Sequence, residues 1–64
     1  MGTLIYKYNE GTESSNWETQ VYISKGHEEV LIVQTWFDGS SIMSKNNIVL
    51  PSDKLREIAE RIEL

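Results

Sequence analysis

Only one stretch of this sequence repeats at helical spacing, and it begins after Pro51. Leu55, Ile58, Ala59 and Ile62 recur at intervals of three and four, which places them on one face of a helix. Everything before Pro51 alternates with a period of two, or runs apolar for a few residues between turn signals. Such a chain forms a sheet with a single terminal helix to back it. The expected fold class is α+β, one domain over residues 1–64.

Four strands are expected. Thr3–Tyr8 sets Leu4, Tyr6 and Tyr8 against Ile5 and Lys7 and reads as an edge strand, with the polar stretch Asn9–Asn16 as a linker after it. Residues 17–24 alternate Trp17, Thr19, Val21 and Ile23 against Glu18, Gln20, Tyr22 and Ser24. Lys25–Glu28 is a turn with a central glycine. Glu29–Phe37 is apolar throughout its first half and alternates in its second, the pattern of a central strand covered on both faces. Asp38-Gly39 then signals a hairpin, because glycine tolerates positive φ. The last strand spans about 40–50, and a bulge is expected near Lys45-Asn46-Asn47 because Asn accepts left-handed geometry. The helix follows over about 51–63, with Pro51 in its first turn and Ser52 and Asp53 at the positive end of its dipole. Glu57 and Arg61 form an i, i+4 pair on its polar side. The order is ββββα.

The chain holds no cysteine and a single histidine, which excludes a disulfide framework and a thiolate metal site. No nucleophile–base pattern, metal-ligand spacing or phosphate-loop glycine pattern occurs, so no catalytic residues, metal or cofactor are expected. The longest apolar run, Val30–Val33, falls far short of a membrane span, and the N-terminus lacks the pattern of a signal peptide. A cytoplasmic protein is expected. A core this small rarely supplies more than about 3–5 kcal/mol without disulfides or metals, which favours oligomerisation. Leu55, Ile58 and Ile62 give the helix more apolar edge than one small sheet needs, and they are the expected dimer interface.

Strand parity turns the pattern into candidate chemistry. On the third strand Leu31, Val33, Thr35 and Phe37 face one way, and Val30, Ile32, Gln34 and Trp36 the other. With the helix covering one set, the set ending in Trp36 keeps an aromatic surface for a ligand or partner. Trp17 and Tyr22 have opposite parity on the neighbouring strand, so one of the two joins Trp36.

From Asn16 to Ile62 the sequence resembles the positive-cofactor-four-like (transcriptional coactivator p15) single-stranded DNA-binding domains, in particular their short bacterial members. The matching segments are Asn16-Trp17 at the start of the second strand, QTWFDG over residues 34–39, and IMSKNNIVLP over residues 42–51. The resemblance implies a curved four-stranded antiparallel sheet backed by the helix, in a homodimer whose grooves bind single-stranded DNA or RNA with little sequence preference. In that family aromatic side chains stack on bases while basic side chains follow the phosphates. By position, Trp36 matches the stacking Trp, Lys45 a phosphate-contacting Lys, and Trp17 the aromatic that opens the second strand. Tyr22, Lys25, Gln34 and Asn46 complete the candidate contact set.

The chain departs from the family in its charge. Glu18, Thr19, Ile23 and Gln34 stand where the family usually places basic residues, and the formal net charge is −4. Each missing phosphate contact lowers the counterion-release share of affinity. The acids nonetheless lie mainly on the helix, in loops and in turns, and binding responds to the local field rather than to net charge. A weakly salt-dependent nucleic-acid groove is therefore the first expectation. The alternative is a small acidic regulator or inhibitor that has lost the basic groove and binds a protein through its aromatic face.

Overall fold

The computed structural model describes residues 2–63. It contains strands β1 (Thr3–Gly11), β2 (Ser15–Ile23), β3 (Glu29–Asp38) and β4 (Ser41–Pro51), followed by helix α1 (Ser52–Ile62). The strands form one antiparallel sheet in the order β1-β2-β3-β4. The α+β, ββββα arrangement is thus present, with β1 on an edge and β3 in the interior of the sheet.

Three local features differ from expectation. Asn9–Asn16 is not a linker: Asn9, Glu10 and Gly11 extend β1, Ser15 and Asn16 begin β2, and only Thr12–Ser14 turn. Polar side chains made this segment look irregular, yet they close the hairpin. The Ser15 N–H donates to Thr12 Oγ1 at 3.1 Å, and Asn16 Nδ2 donates to the Thr12 carbonyl at 3.2 Å. The β4 bulge lies at Met43 rather than at 45–47, because Trp36 pairs with Ser44 while Phe37 pairs with Ile42. Asn46 and Asn47 keep regular pairing with Gln34 and Val33. Finally, Pro51 ends β4 and caps the helix with φ −59° and ψ 141° instead of lying in its first turn. It supplies no side-chain cap, and Ser52 N–H donates to the Glu28 carbonyl at 2.8 Å, which ties the start of α1 to the β2–β3 turn.

In that turn the left-handed residue is His27, at φ 60°, not Gly26. The glycines that need positive φ are Gly11 at 119° and Gly39 at 65°. A Cβ on Gly11 would lie 2.5 Å from the Ser15 carbonyl oxygen, whereas one on Gly39 meets nothing within 4 Å. Gly11→Ala is therefore expected to cost about 1–3 kcal/mol, and Gly39→Ala only about 1 kcal/mol. Urea midpoints of the two variants against wild type measure the difference.

The core is small. Val30 and Val33 are the only buried apolar residues among those described, and Val30 is 2% exposed. Helix α1 touches only β3 and β4, and none of its residues is buried. The molecule measures 36 × 32 × 16 Å, close to the thickness of a single layer with side chains on both sides.

Candidate functional site

Antiparallel partners project to the same side of a sheet, so the register sorts the candidate residues by face. The front face takes Trp17, Thr19 and Val21 from β2, opposite Trp36, Gln34 and Ile32 of β3. It continues on β4 with Ser44, Asn46 and Ile48, and on β1 with Tyr6, Tyr8 and Glu10. The back face takes Glu18, Gln20 and Tyr22, then Leu31, Val33, Thr35 and Phe37, then Lys45, Asn47 and Val49.

Trp17, not Tyr22, joins Trp36. The two indoles stack with ring centroids 5.7 Å apart and planes 20° from parallel, and each remains nearly two-fifths exposed. One hydrogen bond holds the Trp36 ring and another the amide beside it. Trp36 Nε1 donates to Ser15 Oγ at 3.1 Å, and Gln34 Nε2 donates to the buried Thr19 Oγ1 at 3.2 Å. These bonds fix ring orientation and amide direction. Asn46, beside Gln34 in the register, is exposed and leaves its amide available.

Two further aromatics extend this surface, and sequence parity alone did not assign them to it. The register of β1 shifts between Leu4 and Tyr6, leaving Ile5 without a partner. The shift sends Leu4 to the back face with Tyr22, while Tyr6 and Tyr8 face front opposite Val21 and Thr19. Their rings lie 5.7 Å apart and both are exposed. Tyr8 is diagonal to Trp17 across β1 and β2, so the four rings form one band over three strands. The alternation of Tyr6 and Tyr8 was the visible signal. What was missing was the pairing that fixes their side.

The cations lie elsewhere. Lys45 pairs with Thr35 and sits on the back face, with Glu18 on the far side of Thr35. Lys7 is also at a back-face position, opposite Gln20. Lys25 lies in the β2–β3 turn, at the end of the sheet away from the indoles. No Lys or Arg projects from the front face of the described strands, which instead carries Glu10 beside Trp17 and Asp38 beside Ser15. The proposed contact set therefore divides: Trp17, Gln34, Trp36 and Asn46 share one surface, while Tyr22, Lys25 and Lys45 do not.

Lys54, Glu57 and Arg61 form surface ion pairs at 3.6 Å on α1. They contribute little to stability at such exposure. The helix is not long and apolar enough to cross a membrane. No family model matches the sequence, and no curated protein or solved structure matches it.

Proposed function

We propose that this chain is one subunit of a homodimer that binds single-stranded nucleic acid by stacking bases on the front face, with little sequence preference. The observation that carries this reading is the exposed band of Tyr6, Tyr8, Trp17 and Trp36 on one side of an open sheet. Every base has a π-face, so such a surface accepts any sequence that can unstack. Duplex bases are already stacked on each other and do not compete for it. The neutral amides of Gln34 and Asn46 hydrogen-bond base edges, and the front face leaves phosphates to point outward into water.

The absence of cations from this face sets a quantitative expectation. A single strand releases about 0.7 counterions per phosphate neutralised. A front face that contacts bases and at most one phosphate gives a slope of log K against log salt between 0 and about −1. Titration of fluorescent oligothymidine at several salt concentrations checks it. A steep slope, from several phosphate contacts, would move binding to the back face of Lys7 and Lys45. No anisotropy change at high micromolar protein, with the indole emission unmoved, would remove the nucleic-acid reading altogether.

Glu10 and Asp38 favour a second reading. Acids beside aromatic rings suit a basic, extended peptide better than they suit a polyanion. On that view the chain is a small acidic regulator of another protein, and oligothymidine fails to bind while a basic, proline-containing peptide quenches the indoles.

A further inference from the structure

We propose that the homodimer is built by mutual insertion: the apolar stripe of each α1 seats in a concavity on the back face of the other copy's sheet. The inference rests on the homodimer in the preceding section and not on nucleic-acid binding. It starts from surface area. A compact monomer of this mass exposes about 4,200 Å², whereas this chain exposes 5192 Å². The excess of roughly 1,000 Å² per chain is close to the ~800 Å² per partner of a standard interface. The radius of gyration, 13.5 Å, also exceeds the roughly 11 Å of a compact chain of this length.

The two surfaces that need cover are complementary. Tyr22, Glu29, Leu31 and Val49 of the back face line, with Gly2, Ile23 and Ser24, an open concavity of ≈ 340 Å³ that no residue of the chain's own helix lines. Helix α1 in turn presents Ile58 and Ile62 to water, the latter 78% exposed. Tethered at Ser52 to the β2–β3 turn and in contact only with β3 and β4, the helix does not fill the concavity of its own sheet. A branched aliphatic side chain from a second copy fits that space. A two-fold axis makes the exchange reciprocal, so both stripes and both concavities are covered at once and the assembly closes at two.

Among the paired strand residues the exposed aliphatic side chains fall on both faces, Ile48 on the front and three on the back. Exposed Leu4, Ile42 and Val49 lie on the back and gain only from exclusion of water. The front keeps the four aromatic rings, which pairing through the back face leaves accessible.

The natural chain has no cysteine, so introduced thiols report on this contact without background. Val49→Cys and Ile62→Cys are each made singly, at positions more than half exposed where truncation removes no core packing. The two proteins are mixed, allowed to exchange subunits and oxidised mildly. The mixture is expected to form covalent dimer at least tenfold faster than a Tyr6→Cys and Ile62→Cys mixture, with the front-face thiol as control. Equal rates, with a dimer still present in sedimentation equilibrium, would overturn the mutual insertion and leave the homodimer standing. A monomer at high micromolar concentration would overturn both, whatever the oligothymidine titration shows.

Discussion

Trp36→Ala is expected to weaken oligothymidine binding by about 5- to 150-fold, the range that loss of one base–aromatic stack of ~1–3 kcal/mol implies. Trp36 meets Trp17 at 5.7 Å and stays nearly two-fifths exposed to a ligand. Its Nε1 bond to Ser15 prevents the ring from turning away, so the stacking surface is preorganised before a base arrives. Trp36→Phe keeps a ring at this position and is expected to retain most of the affinity. Lys45→Gln is expected to change it less than about threefold, because Lys45 projects from the opposite face. Fluorescence anisotropy on the three variants, at one low salt concentration, measures the order. A larger loss from Lys45→Gln than from Trp36→Ala would reverse the assignment of faces. Because removal of the indole also takes away a cross-strand contact of about 0.5–1.5 kcal/mol, a thermal melt of Trp36→Ala accompanies the titration and separates loss of fold from loss of site.

The order of elements was legible in the sequence because each transition has a strong local cause. Gly39 permits a tight hairpin, Pro51 cannot continue a ladder as a donor, and the change from a two-residue to a three-and-four-residue period marks α1. Membership of a face was legible only within a strand. Whether Trp17 or Tyr22 meets Trp36 depends on the register between β2 and β3, a property of two segments that neither contains alone. The unpaired residues Ile5 and Met43 are of the same kind: each reverses parity beyond it, and no residue-level preference announces either. Lys45 lies on the face opposite the indoles for this reason. It is one residue from Ser44 and Asn46, which face the indoles, and one residue along a strand is the whole thickness of the sheet. Polar edge residues misled in the opposite direction, since Asn9 and Glu10 need no buried partner to belong to an outer strand.

Thermal stability is expected to rise with protein concentration, by about 5 °C for each tenfold increase. Among the described residues an isolated copy fully buries two apolar side chains, Val30 and Val33, and none of α1. Against a backbone ordering cost of about 1–2 kcal/mol per residue, so small a fully buried core favours a second copy. In the proposed homodimer folding and association are one step, and the midpoint follows mass action. A tenfold change in concentration shifts the free energy by about 1.4 kcal/mol. Two chains of this length unfold with an entropy of roughly 270 cal/mol/K at about 2.1 cal/mol/K per residue, and the ratio gives the 5 °C. Scanning calorimetry or circular dichroism melts from 1 to about 100 μM, a range chosen to span a typical dimer dissociation constant, make the shift about 10 °C. Val30→Ala lowers the curve at every concentration without changing its slope, since it acts inside each subunit. Ile58→Glu is expected to lower it at every concentration as well, because it charges the stripe that the partner's concavity receives. A midpoint independent of concentration would mean that the exposed aliphatic surface is stable in water on its own, and it would remove the physical reason for a second copy.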